Sequence, residues 1–420
     1  MHAAAGNKLS NTWLGRVVAV WAGQAISILS AYAATYAGVW YITETTSSPA
    51  MLSLAAIVSL LPQAILSPFA GIIADKAKKK TVLVVADIFV LLLALIFSLF
   101  VAHGFLSVEL ILVFGVLRSI AESFHMPALE SATPFLVPDK HLLRINTLNQ
   151  GIWSFSLIVG PALGIFFFTL AGFQFVLLLN AAGVSIALLV LLFVKFPETH
   201  LSEKRDNQSN TKAFSISYVF GGLREGFNEI VTKKGLLLLG ILVAIDMAIY
   251  ISLDSFYPLM TYSHFSGSGY QASFVEAVYG ITSLIGLAVL FVWQGGSNVM
   301  RLVGVCGVAT GVLTFITAFL PNSAFYIFVL ITGATGVFES LYTGPIMTIV
   351  QRHIDPTKLG RVMGLYTTIT GLSSPLGLGI AGIATEHIGI TSWFALAGII
   401  TTGIGCSILF LRQIQELGNR

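Results

Sequence analysis

The stretch Gly71-Ile-Ile-Ala-Asp75-Lys76-Ala-Lys78-Lys79-Lys80 decides the fold, because it is a short, strongly basic break between two long apolar runs. Upstream the chain is apolar from Ala50, and downstream it becomes apolar again at Thr81 and stays so for about the twenty residues that a helix needs to cross a bilayer. A basic connection between two spans marks the cytoplasmic side of a membrane. The pattern repeats along the whole chain. Of the 22 Lys and Arg residues, all but Arg118 fall on alternate connections: Lys8 and Arg16, Lys76 to Lys80, Lys140 and Arg144, Lys195 to Lys234, Arg301, Arg352 to Arg361, and Arg412 with Arg420. The intervening connections, near Glu44, His103, Ala171, His264, Pro321 and Glu386, carry none. Positive-inside insertion accounts for this alternation and places both termini in the cytoplasm of a multi-pass cell-membrane protein.

Composition agrees with that reading. The chain is 56% hydrophobic and 10% charged, against about 25% charged in soluble domains, and its 40 glycines suit membrane helices. The net charge of +3 is spent on topology, which excludes a nucleic-acid partner as the purpose of the basic residues. Cys306 and Cys406 lack CxxC spacing and read as small core residues. No HExxH, GxSxG or Cys/His ligand spacing occurs, so neither an enzyme nucleophile nor a metal or other cofactor is expected.

Cutting the apolar runs at charged or Pro/Gly/Asn-rich breaks gives twelve helices, starting near Trp13, Ala50, Thr81, Ser107, Leu143, Phe173, Gly235, Gln271, Val299, Ser323, Lys358 and Gly389. The long polar insert divides them six and six: an N-terminal bundle over 1–195, a cytoplasmic linker over 196–234, and a C-terminal bundle over 235–420. Within the linker, Ile216, Val219, Phe220, Leu223, Phe227, Ile230 and Val231 recur at helical spacing opposite Arg224, Glu225, Asn228 and Glu229, which predicts an amphipathic helix on the membrane surface. The halves also match each other. Glu122, Pro127, Pro138, Lys140 and Arg144 find counterparts in Glu339, Pro345, Pro356, Lys358 and Arg361, and the fifth and eleventh helices carry "GPALG" and "SPLGLG".

The 71–80 motif, with Gly71, Asp75, Lys76, Lys79 and Lys80, resembles the gating-loop signature of the major facilitator superfamily, although Lys78 replaces its usual second Gly. The matching loop "WQGGSNVMR" keeps no acid, so only the first copy is expected to gate. Gly160, Pro161 and Gly164 are similar to the antiporter motif of the superfamily's exporters, while the further glycines of that motif are Thr147, Ser156 and Ile165 here. Simple helix packing explains the same glycines. The formal GxGxxG at Gly377, Gly379 and Gly382 lies within an apolar helix with no strand before it and reads as packing. The stretches "WAGQAIS", "YITETTSSPAMLSLAAIVSLLPQAILSPFAGIIAD" and "RSIAESFHMPALESATPFLVP" resemble the macrolide-efflux (Mef-type) drug:proton antiporters, closely in the first half and by pattern in the second. That resemblance implies an all-α membrane protein of the major facilitator fold, twelve helices in two pseudo-symmetric six-helix bundles, exporting lipophilic small molecules against protons by alternating access. A monomer in the bilayer is expected. An importer or lipid translocator of the same architecture remains open, and a membrane-embedded receptor or enzyme is disfavoured.

Charged groups inside spans are the remaining signal, since each costs roughly 2.5 to 3.5 kcal/mol at a helix centre. Asp246, Tyr250 and Asp254 follow one another at helical spacing with Tyr257 below, Glu339 shares a stripe with Thr332, Thr335 and Thr343, and Arg118 and Glu122 stand one turn apart. These five charged residues are the candidates for proton coupling, with a structural ion pair as the alternative for Arg118 and Glu122. Asp87, Glu130 and His125 read as structural. The resemblance puts helices one, four, seven and ten around a central cavity, which makes Gln24, Tyr32, Tyr36, Tyr250 and Tyr257 candidate contacts for a bulky lipophilic or cationic substrate. Trp40 and Tyr41 read as members of an interfacial aromatic belt.

Overall fold

The computed structural model describes residues 2–76, 78–138, 141–194, 227–293, 298–354 and 359–418. Almost all are helical, with no strand among them. The long helices are α1 (His2–Thr46), α2 (Pro49–Lys76), α3 (Lys79–Ala102) and α4 (Val108–Leu136), followed by the continuous element Leu142–Phe193. Gly172 breaks that element with φ 77° and ψ 175°, so it is two helices, α5 (142–171) and α6 (173–193). Then come α7 (Lys234–Leu259), prolonged by one π-helical turn at Met260–His264, α8 (Gly269–Trp293), α9 (Val299–Thr317), α10 (Phe325–His353), α11 (Leu359–Ile388) and α12 (Ile390–Phe410), with a short α13 (Arg412–Gly418) at the end. After α1, each long helix begins within two residues of the position expected from the sequence. Of the linker, only 227–234 is described, so most of the expected amphipathic helix lies outside the described residues.

Local chemistry sets several of these boundaries. Ser107 Oγ accepts from Leu110 N at 3.2 Å and starts α4; Asn298 Oδ1 accepts from Arg301 N at 2.9 Å and starts α9. Lys80 at the head of α3 donates through Nζ to the carbonyls of Leu192 (3.0 Å) and Val194 (2.9 Å), satisfying orphan groups where α6 ends. Gly389 (φ 84°, ψ 159°) separates α11 from α12 just as Gly172 separates α5 from α6. An L side chain rarely enters that backbone region, so a single Gly reverses the chain in both places.

By contacts the chain forms two compact units. One holds α1, α3 to α6 and α2 from Val58 onward; the other holds α7 to α13 and the segment Thr46–Ile57 at the head of α2. In the first unit Trp21, Leu83, Leu129 and Leu191 form a buried cluster. In the second, Leu239, Val303, Tyr342 and Ile408 do the same. Large apolar side chains also stand outward in numbers, such as Phe193 (84% exposed), Leu99, Phe291 and Phe410. Water would penalise such a surface, whereas hydrocarbon does not. Nine helical stretches among the described residues are long and apolar enough to span a bilayer, Gly151–Phe193 counting as one.

Internal packing repeats between the units. An added Cβ on Gly164 would collide with the backbone of Ala33, and one on Gly377 with that of Ala248, so α5 meets α1 as α11 meets α7. Ser119 Oγ donates to Ser59 O (2.6 Å) and Ser340 Oγ to Ser283 O (2.9 Å), each with a closely packed Gly four residues earlier, Gly115 and Gly336. The contacts of α4 on α2 are thus those of α10 on α8. They also correct the register of the repeat. Arg118 precedes the contact serine in one unit and Glu339 precedes it in the other, so Glu122 lies about one turn beyond the counterpart of Glu339.

Candidate functional site

In the first unit, Arg118 is fully engaged. Its Nε and Nη2 donate to Glu122 Oε1 at 2.9 and 2.6 Å, and its Nη1 reaches Ala31 O at 3.0 Å and the Thr35 hydroxyl on α1. The planar guanidinium makes this possible: one edge satisfies the acid one turn along α4 while the other caps polar groups of the neighbouring helix. The side chains are 13% and 38% exposed. Gln24 lies on the same α1 stripe as Thr35 and is buried with its Nε2 unpaired. Tyr32 sits edge-on to Trp153 (5.9 Å) and presses against Gly160, while Tyr36 is buried. Gly160 and Gly164 therefore bring α5 against α1 at Tyr32 and Ala33. A second acid contact, His125 Nε2 to Asp87 Oδ1 at 3.2 Å, falls within ion-pair distance but misses hydrogen-bond geometry.

The equivalent place in the second unit holds acids instead. Ala31 and Asp246 each lie two residues before the alanine that meets the α5 or α11 glycine, so Arg118 facing Ala31 corresponds to Glu339 facing Asp246. Asp246 is 3% exposed and Glu339 8%, with the Tyr342 hydroxyl (1%) beside Asp246. The contact with Tyr342 falls short of hydrogen-bond geometry, and Asp246 Oδ2, Glu339 Oε1 and the Tyr342 hydroxyl are all buried without a hydrogen-bond partner. From Lys234 to Arg352 the only basic side chains in the sequence are Lys234 itself, Arg301, His264 and Arg352, which belong to helix ends. Leaving such groups unpaired costs on the order of 1–3 kcal/mol each, more if charged, so their retention calls for a use.

Farther along α7, Asp254 is half-buried and has a carboxylate neighbour, Glu276 of α8. Glu276 escaped the sequence reading because it stands only two turns into α8. Its spacing to Tyr279 on the same helix was the available signal, for the Tyr279 hydroxyl pairs with that of Tyr250 at 3.0 Å. Tyr257 closes the group, packed against Tyr279, Phe328 and Phe394 at 5.9 to 6.2 Å. Asp254 stands ten residues before the end of the helical run at His264.

Other candidates are placed differently. Gly71, Asp75 and Lys76 lie at the end of α2, and the side chains of these three fall outside the described residues. Lys80 caps α6, a role the sequence did not suggest, and Lys78 is exposed. Trp40 is buried, which corrects its assignment to an interfacial belt, and Tyr41 donates to Leu106 O at 3.3 Å. Gly377 and Gly382 of the glycine triplet face Ala248 and Ser53, confirming a packing role. No cluster of metal-ligating side chains occurs among the described residues.

A helical membrane fold of duplicated units with buried acids in the second is the architecture of a secondary transporter. The family model of the Major Facilitator Superfamily matches residues 20–301 and 298–417, and the chain belongs to that superfamily. It is 26% identical over 407 residues to Macrolide efflux protein A of Streptococcus pyogenes, covering 97% of this chain and 98% of that one. Multidrug efflux pump Tap of Mycobacterium tuberculosis is 26% identical over 390 residues, covering 90% and 89%. The crystal structure of a D-xylose-proton symporter shares the fold with a TM-score of 0.68 over 96% of this chain and 99% of that one at 12% identity. The protein is a multi-pass transporter with efflux pumps among its relatives.

Proposed function

We propose that this transporter exports lipophilic or amphiphilic small molecules, macrolide-like compounds among them, in exchange for protons by alternating access. The observation that carries the proposal is the buried pair Asp246 and Glu339, which has no basic partner in its helices. Two adjacent carboxylates cannot both stay ionised away from water without a large electrostatic cost, and either a proton or a substrate cation relieves it. Competition between the two for one negative site is exchange. Arg118 and Glu122 favour a fixed structural ion pair, because the Arg already neutralises the acid.

The efflux relatives support the outward direction, and the alternation of basic connections supports cytoplasmic termini with 196–234 as a cytoplasmic linker between two six-helix bundles. The aromatic faces of Tyr32 and Tyr36 on α1, and of Tyr250 and Tyr257 on α7, suit a bulky apolar substrate, with Gln24 as a polar contact. Asp75 and its basic neighbours serve the cytoplasmic gate in this reading, and the α5 motif gives the interface its compliance.

The deciding experiment is gradient-driven export of erythromycin from proteoliposomes by Asp246→Asn, Asp254→Asn and Glu339→Gln. The true carrier's amide variant abolishes uphill export yet keeps substrate binding that no longer depends on pH. Wild-type uphill export with wild-type pH dependence in all three variants would sink the coupling model.

A further inference from the structure

The carboxylates of the second unit fall into two groups, and the tyrosines lie between them. Asp246 and Asp254 are two turns apart on α7, about 12 Å along the axis, with Tyr250 midway on the same stripe. Asp246 belongs with Glu339 and Tyr342; Asp254 belongs with Glu276. The Tyr250 hydroxyl stands in the fields of both Asp254 and Glu339, and the Tyr279 hydroxyl, hydrogen-bonded to it at 3.0 Å, also stands in that of Glu339. Glu339 Oε1 is buried without a hydrogen-bond partner, an acceptor left unused.

Resting on the proton-exchange reading above, we infer that Asp254 and Glu276 form a second proton-binding site, and that the hydrogen-bonded pair Tyr250–Tyr279 links it to the Asp246–Glu339 site. The other titratable groups facing these sites are Tyr257 on α7, Tyr342 on α10, Cys306 on α9 and Tyr366 on α11. None is a base. A phenol suits the link because it donates and accepts at one oxygen. A proton from the Asp254–Glu276 pair adds to one tyrosine oxygen as that hydroxyl passes its own proton onward, so both tyrosines end neutral. The inner pair gains the proton that the outer pair loses, and no bond to carbon changes. The half-buried position of Asp254 and Glu276, against the deep burial of Asp246 and Glu339, makes the former the entry and the latter the store. Glu276 is then a coupling residue in its own right.

The test needs no substrate. Full-length protein in liposomes is titrated while the infrared absorption of protonated carboxyl groups is followed, in wild type, Glu276→Gln and Glu339→Gln. Two components are expected, one missing in each variant. A single component that Glu276→Gln leaves intact overturns the second site. Tyr279→Phe and Tyr250→Phe keep the rings and remove one hydroxyl each. After a pH jump they should retain both components but fill the Glu339 component about a hundredfold more slowly, the lower range of what a positioned proton-transfer group contributes. Filling at the wild-type rate in both overturns the link. Glu276→Asp, which preserves a carboxyl, should restore the lost component and so distinguishes titration from a folding defect. Failure of wild type to couple drug export to protons would sink the exchange reading, while two carboxyl components joined by the tyrosines would still stand.

Discussion

A single residue separates the chemistry of the two units. At the position one before the serine that binds helix α4 or α10 to its neighbour, the first unit has Arg118 and the second has Glu339. Arg118 is satisfied on both edges, by Glu122 and by α1, so removing it strands an acid and frees two α1 groups at once. Arg118→Gln is therefore expected to cost about 3 kcal/mol, as breaking a mostly buried pair does, and to lower the melting temperature in detergent accordingly. Glu122→Gln, at the more exposed end, should cost about 1 kcal/mol or less because the amide oxygen still accepts from the guanidinium. Equal losses in thermal unfolding would mean that the α1 contacts of Arg118 contribute nothing. The acids at the other position have no such partner to lose. Their amide variants should leave the melting temperature unchanged or raise it, since an unpaired buried carboxylate is traded for a neutral group.

At the scale of helices, close approach through glycine holds each unit together. An alanine at Gly377 meets the Ala248 backbone, whereas one at Gly371 or Gly403 meets nothing within 4 Å. Gly377→Ala should destabilise by roughly 1–3 kcal/mol in a thermal-shift assay, as overpacking does. Gly371→Ala and Gly403→Ala should be neutral or slightly stabilising; matching effects at all three sites would contradict close α7–α11 packing. Lys80 offers a second element-scale test: Lys80→Ala should cost about 1 kcal/mol through the uncapped end of α6, whereas Lys78→Ala, exposed, should cost nothing. Sequence periodicity and charge breaks show where the helices begin, because a span needs a fixed length of apolar chain whatever it packs against. They do not show which face meets which. The prolines at 127 and 345 invited a match of Glu122 with Glu339, but the helices register on Ser119 and Ser340, and from there the prolines are eight and five residues away. Proline marks a bend, and bends can shift by a turn while the contact face stays fixed. Glu276 was hidden for a similar reason: a carboxylate near a helix start looks solvated until a neighbouring helix supplies Asp254.

For the whole molecule, the distribution of basic residues makes a claim about topology, and through it about the side from which each acid is loaded. The proton gradient sets the direction of exchange, and the orientation of the helices decides which carboxylates load from outside and which release inside. Basic connections at 76–80 and within the linker are assigned to the cytoplasm, and the connections at His103, Pro321 and Glu386 to the outside. Two native thiols must be considered first. Cys306 is buried but Cys406 is partly accessible, so the background is a Cys406→Ser chain. On it, single cysteines at His103, Pro321 or Glu386 should react with an impermeant maleimide added to intact cells, and cysteines at Lys78 or Arg205 should react only after the membrane is opened. Labelling in the opposite sense would invert the molecule in the bilayer. The Asp254–Glu276 entry would then face the cytoplasm and become the site of proton release, while the direction of exchange would still follow the proton gradient.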